Sequence, residues 1–366
     1  MTSAPYGKVL AGNSESIRRA YDTFSAQPVD LVLPSEQNEA PRGSKPHGIF
    51  AEPPGAKDTI PFLAKDGDLE DEYQKTIARP VSVTGPGTFF RRAARTLLFE
   101  PTAEKGWWFE RVDLPKDLPT LVSVRNVWTT ARNIVLRSGS PHNYMRMVEH
   151  IIALKLGMGI DNLLIKVYSG DPPLFDRGSM DIVEALESAG IRKQNAPVPY
   201  VTVRETATIG GENGGFLTFA PHDGRKKLTI DCAIDFKNAI GKQRIRFDLT
   251  TKIFRQGAEA RTNTNTAVKL YCRTLGLLFA DIRNSGYTNK NILIAGRRRY
   301  LNEPKLIYNG KSLEAVWHRA IMDLLAAVAL IDSGRFVGKI ISYKSGHALD
   351  ADMIRLLYKH NLLIAV

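Results

Sequence analysis

Three histidines stand in settings that could do chemistry. Glu149-His150 lies inside an apolar-periodic stretch, and His318 has Asp323 five positions further on. His347 sits in the glycine-containing turn Lys344-Ser345-Gly346-His347-Ala348-Leu349. A zinc hydrolase needs three nitrogen or oxygen ligands and an open position for water. It also needs a base, often Glu, and an acid or electrostatic group for the leaving atom or the oxyanion. Glu149, His150, His318, Asp323 and His347 supply those residue types. They also have an uneventful reading, since a lone helical histidine is commonly a surface group or a hydrogen-bonded core group, and Glu-His pairs arise by chance. His142 and His222 read as turn residues and His47 as solvated. His360, after Tyr358-Lys359, suits a helix C-terminus.

The elements that must carry these residues begin late in the chain. Residues 1–73 are broken by Pro28, Pro34, Pro41, Pro46, Pro53, Pro54 and Pro61, with one amphipathic stretch from Ser14 to Phe24. They read as a proline-rich N-terminal extension, loosely ordered or draped on the body. From Gln74 the pattern changes. Thr76–Val83, Arg95–Phe99, Gly106–Val112 and Asn162–Tyr168 read as strands. Asn143–Leu156 and Ser179–Ala189 read as helices, ended by Gly157 and Gly190. A second unit follows, with strands at 199–205, 215–221, 227–236, 244–250, 291–295 and 337–342. Helices are expected at the end of 268–285, over 314–331 and over 351–360. Strand clusters alternate with helices in both halves, which predicts two α+β domains, 74–195 and 196–366.

Composition bounds the function. The 366 residues are 43% apolar and 24% charged, which excludes a disordered or fibrous chain. Two cysteines, Cys232 and Cys272, are too few for a disulfide scaffold or a cysteine-built zinc site and fit a reducing cytoplasm. Neither a secretory leader nor a membrane-length apolar run is visible. The net charge of +12 favours anionic partners: nucleic acid, acidic lipid headgroups or phosphorylated small molecules. No nucleic-acid motif accompanies it, so a basic nucleic-acid scaffold is the weakest of the three function classes considered.

From Gln74 onward the chain resembles the zinc-dependent UDP-3-O-acyl-N-acetylglucosamine deacetylases of lipid A biosynthesis. The resemblance is carried by Gln74-Lys75-Thr76-Ile77, by Val81 to Gly87, and by Val148-Glu149-His150 with Gly157 to Asn162. It continues through Asp176-Arg177-Gly178-Ser179, Ile234-Asp235-Phe236, Ala239-Ile240-Gly241, Cys272 to Leu277 and Tyr343 to Leu349. It implies two similar sandwich-like domains, each with a β-sheet and helices, the helices packed between the sheets. It implies zinc held by His150, His318 and Asp323, with no organic cofactor. Glu149 would be the general base, Thr274 an oxyanion donor and His347 the cationic group that protonates the leaving amine. Arg319 and Lys344 would meet the UDP-linked acyl-sugar substrate and Leu275 its acyl passage. A cytoplasmic enzyme with peripheral contact to an anionic membrane surface is expected.

Three departures bear on this reading. The family pattern His-x-x-x-Asp is stretched here to His318-Arg319-Ala320-Ile321-Met322-Asp323. Five residues of regular helix turn ~500°, leaving the side chains ~140° apart. Either a π-bulge absorbs the extra residue, or Arg319 and Asp323 form an ordinary i, i+4 ion pair. A second Arg-Thr, Arg261-Thr262, competes with Arg273-Thr274 for the threonine role. The acidic residue that the family carries one turn beyond Asp323 is alanine, Ala326 or Ala327. The alternative function is therefore a non-catalytic or altered-substrate paralogue that keeps the fold and an acyl- or glycan-binding groove.

Overall fold

The computed structural model describes residues 5–33, 71–89, 93–265 and 286–366. Two sheets face each other across a layer of helices. The first has the strand order Val81–Pro86, Ala94–Glu100, Leu163–Val167, Trp107–Arg111 and Thr120–Leu121. The second runs Lys8–Ala11, Ala207–Gly210, Phe216–Ala220, Gly338–Tyr343, Leu228–Asp235, Lys242–Asp248 and Leu31–Leu33. The α+β sandwich is therefore present, with its helices between the sheets.

Helix α1 is Ser14–Ala26, α2 is Glu149–Gly157, α3 is Met180–Ala189 and α4 is Thr251–Gly257. Helix α5 comprises the α-helical Glu314–His318, the π-helical Arg319–Leu324 and the α-helical Leu325–Ala329; α6 is His347–Lys359. Helices α2 and α5 pack face to face between the two sheets, and α2 is apolar on nearly every side. A helix apolar all round belongs in a core, and one continuous cluster joins Leu97, Phe99 and Ile152 to Phe247, Ile321 and Leu325. Gly157 permits the close crossing of α2 and α4: a Cβ there would lie 2.0 Å from the Phe254 ring.

Helix α2 starts later than the periodicity predicts. Tyr144–Met145 pairs antiparallel with Val135–Arg137, and Met147 has φ +47°. Both are incompatible with a helix that begins at Asn143. The strand pairing claims backbone groups that the apolar spacing cannot reveal.

The described part of the N-terminal segment, residues 5–33, is draped on the body. Lys8–Ala11 joins one edge of the second sheet, parallel to Ala207–Gly210, and Leu31–Leu33 joins the other, parallel to Lys242–Asp248. Between them α1, capped by the Asn13 side chain, crosses the outer face. Its buried Ala20 and Phe24 cluster with Phe216, Ala233, Ile341 and Tyr343. The strap thus covers an apolar face and blunts both sheet edges. The sequence expectation for 34–70 lies outside the described residues.

Candidate active site

The chemistry-bearing residues come from four elements. Helix α2 contributes Glu149 and His150 at its start, α5 contributes His318, Arg319 and Asp323, the turn into α6 contributes His347, and the strand Thr262–Asn265 contributes Thr262. The separation of five between His318 and Asp323 is accommodated because Arg319–Leu324 is π-helical. In that wider turn His318 Nδ1 comes within 3.6 Å of Asp323 Oδ1. The Arg319–Asp323 approach also exists, at 4.0 Å, so the two geometries coexist.

His150 Nε2 and His318 Nε2 face each other at 3.4 Å. The Thr262 hydroxyl bridges them, 3.1 Å from His150 and 3.0 Å from His318. Thr262 is fixed by its neighbour: Arg261 donates to Glu314 Oε1 at 2.6 Å and Oε2 at 3.0 Å, and to the Glu303 carbonyl at 2.7 Å. His347 Nε2 lies 3.7 Å from Glu149 Oε1 and 3.8 Å from Asp323 Oδ1. Glu149 Oε2 accepts from the Ile134 N–H at 3.2 Å. Ser179, in the turn after Gly178, donates to the His150 carbonyl at 2.9 Å. That turn needs a glycine, because φ is +65° and a Cβ would press on the Ala258 carbonyl.

Burial sets the protonation states. It raises the Glu149 carboxyl to about 7 and lowers His150 to about 3, the latter with help from His318. It also lowers His318. Burial alone would lower His347, but Asp323, Glu149 and Asp350 outweigh it and raise it. Burial alone would raise Asp323, but His318, His347 and Arg319 hold it below the usual carboxylate range. The centre therefore combines neutral imidazoles, a near-neutral acid, a stabilised anion and a favoured imidazolium, a spread typical of acid–base sites.

The donor set fits zinc in kind and partly in position. Ligand bonds of ~2.0–2.1 Å place tetrahedral donors a little over ~3 Å apart, and the two Nε2 atoms meet that at 3.4 Å. Both rings are held neutral, as ligands must be. Asp323 Oδ1 is buried and has no hydrogen-bond partner. It faces the Nδ1 side of His318, and among the described residues no group of three His, Cys, Asp or Glu side chains stands ready to hold a metal.

Other predicted residues fall differently. Arg319 is buried at 6% exposure, and its Nη2 donates to Asp350 Oδ1 at 2.6 Å and Ser345 Oγ at 2.7 Å. It is turned into the protein, away from solvent. Lys344 is half-buried with φ +49°, its ammonium 5.9 Å from the Tyr343 ring centroid. Thr274 and Leu275 lie outside the described residues. Asp350 has no reading in the sequence beyond its position one turn after His347, and Ser179 none beyond the Asp176-Arg177-Gly178-Ser179 turn and the helix that follows. An apolar wall of Met147, Ile151, Leu174, Phe175 and Ile182 stands beside His150.

Residues 74–359 match the UDP-3-O-acyl N-acetylglycosamine deacetylase family. A UDP-3-O-acyl-N-acetylglucosamine deacetylase from Cellvibrio japonicus is 27% identical over 289 residues, covering 78% of this chain and 89% of that protein. The same-named proteins from Thioalkalivibrio sulfidiphilus and Brucella ovis are each 28% identical over 78% of this chain, covering 89% and 95% of their own lengths. The strap that covers the second sheet precedes the matched region.

Proposed function

Because the chain belongs to the UDP-3-O-acyl N-acetylglycosamine deacetylase family, we propose that it hydrolyses the N-acetyl amide of a UDP-linked acylated glucosamine in lipid A biosynthesis. The observation that carries this is the convergence of Glu149, His150, Thr262, His318, Asp323 and His347 on one buried centre. His150, His318 and Asp323 are the residues that would hold zinc. When bound, zinc acidifies water and polarises the amide carbonyl.

The remaining steps belong to the chain. Glu149, raised to about 7 by burial, accepts a proton from the attacking water at the pH where a base is most effective. The Thr262 hydroxyl, already directed between the two imidazoles, turns to donate to the amide oxygen as it becomes an oxyanion. Thr262 takes the role expected of Thr274 because its placement supports it. His347 is held cationic by three carboxylates and donates from Nε2 to the leaving nitrogen as the C–N bond breaks. Acetate and the free amine leave, and the proton on Glu149 returns to His347 across their 3.7 Å gap. The apolar wall beside His150 is suited to the acyl chain, and Lys344 to the substrate's negative charge.

Among the described residues no helix is long and apolar enough to cross a membrane. A cytoplasmic location with the basic surface resting on anionic lipid accords with the +12 net charge. A second reading, a non-catalytic relative that binds the acyl-sugar, is favoured by one observation: Asp323 faces the opposite side of His318 from His150. Metal content separates the two. Protein purified without added zinc or chelator should carry about one zinc per chain, and His318→Ala should lose it. A parent chain that takes up no zinc even when supplied would overturn the hydrolase reading.

A further inference from the structure

Arg319 and Asp350 form a buried ion pair that the mechanism above does not use. Arg319 lies on the π turn between His318 and Asp323. Asp350 lies in the first turn of α6, one turn after His347, and is fully buried. One guanidinium nitrogen, Nη2, reaches Asp350 at 2.6 Å and Ser345 at 2.7 Å, and Ser345 in turn bonds Ser342 at 2.7 Å. Nη1 stands 4.0 Å from Asp323 Oδ2. A single side chain thus ties the turn that carries Asp323 to the turn that carries His347.

The bonding of the pair is incomplete. Arg319 Nε and Nη1, Asp350 Oδ2, Asp323 Oδ1 and His347 Nδ1 are all buried without a hydrogen-bond partner. They are five of the seven such side-chain atoms among the described residues. Burying a charge pair rarely stabilises a fold by itself, and leaving its polar atoms unmatched makes it costlier. An arrangement retained for stability alone would be expected to close its hydrogen bonds.

We propose that Arg319 and Asp350 are positioning residues for the proposed deacetylation. They set the separation of Asp323 and His347, keeping the carboxylate on the histidine side of the π turn and the imidazole over Glu149. Arg319 acts through these groups and does not bind the substrate's diphosphate. This inference rests on the functional reading above.

The test uses the full chain supplied with zinc. Asp350→Asn should lower kcat by about 10- to 100-fold, the range for partners that orient catalytic groups. KM should stay within about twofold and zinc near one per chain. Ser345→Ala, which keeps both charges, should lower kcat less and in the same direction. The double variant Arg319→Gln/Asp350→Asn should be no slower than the slower single variant, because the pair acts as a unit. A folded Asp350→Asn protein with parental kcat would overturn the proposal. So would an effect of Arg319→Gln confined to KM, which would mark Arg319 as a substrate contact. If the parent chain neither holds zinc nor releases acetate, the functional reading fails, and the ring-nitrogen NMR shifts of His347 at fixed pH decide separately. They should move in Asp350→Asn if the pair positions the ring, and stay if it does not.

Discussion

Arg244 and Arg319 are both buried arginines paired with aspartate, and they are built on opposite principles. Arg244 Nε and Nη2 bind Asp231 at 2.8 and 3.0 Å, and its Nη1 binds the carbonyls of Phe24 and Gln27 at 2.9 and 2.8 Å. Its guanidinium also lies 3.8 Å from the Phe24 ring centroid. Asp231 takes further bonds from Arg246 at 2.6 and 2.9 Å. Every nitrogen has work, and the cluster locks the end of α1 onto the second sheet. Around Arg319 donors and acceptors of opposite charge sit close together with bonds unmade. A buried ionic network that only holds a fold closes its hydrogen bonds. One that must meet a substrate, a proton or a metal keeps some open, at a cost in stability.

The comparison can be broken at its most sensitive point by His347→Ala. It should lower kcat by about 10²- to 10⁴-fold, as loss of a general acid does, with little change in thermal midpoint. The reverse profile is expected at Arg244. Arg244→Met strands two buried carbonyls and half of the Asp231 charge, and should cost about 3–5 kcal/mol in urea unfolding while the folded fraction keeps its kcat. The sharper form replaces the other pair outright. Arg319→Met/Asp350→Leu should be neutral or more stable by about 1–4 kcal/mol, yet about 10- to 100-fold lower in kcat. Equal destabilisation by the two replacements would erase the distinction.

A third cluster gives the smallest effect and a pH signature. Arg335 clamps Asp71 at 2.9 Å and Asp161 at 2.9 Å, and Lys75 adds a second cation beside Asp71. Burial alone would raise the Asp71 carboxyl, but the bonds and charges of Lys75 and Arg335 outweigh it and lower it. A depressed carboxyl contributes stability that is fully present above its unfolded value of about 4 and lost as pH falls through the folded value. Asp71→Asn should therefore cost about 1.5–3 kcal/mol near neutral pH and progressively less in acid. Unfolding free energies measured from pH 7 to pH 2 for both proteins would show this as converging curves; parallel curves would remove Asp71 from the acid response.

Much of the candidate centre's membership was legible in the sequence because its residues sit in short contexts: Glu149-His150 before a glycine pair, and His347 after Ser345-Gly346. The π turn was legible as one of two alternatives, since a spacing of five announces the misfit but not its resolution. In the folded chain that turn is π-helical and sends Arg319 to Asp350 on another helix, a contact 31 residues away in sequence. The same limit explains the N-terminal strap. The amphipathic stretch from Ser14 was readable, and α1 is there. The strands Lys8–Ala11 and Leu31–Leu33 are too short for alternation to show, and their partners lie about 200 residues on. The threonine ambiguity is of another kind: Arg261-Thr262 and Arg273-Thr274 read alike in the sequence, Thr262 approaches both imidazoles, and Thr274 lies outside the described residues.

The most direct test is acetate release from a UDP-3-O-acyl-N-acetylglucosamine by the zinc-supplied full chain, run beside Glu149→Gln. Measurable release by the parent and a loss of about 10²- to 10⁴-fold in the variant is the predicted result. No release by a parent chain that holds its zinc, or equal rates for the two proteins, would contradict the assignment of this centre as a deacetylase site.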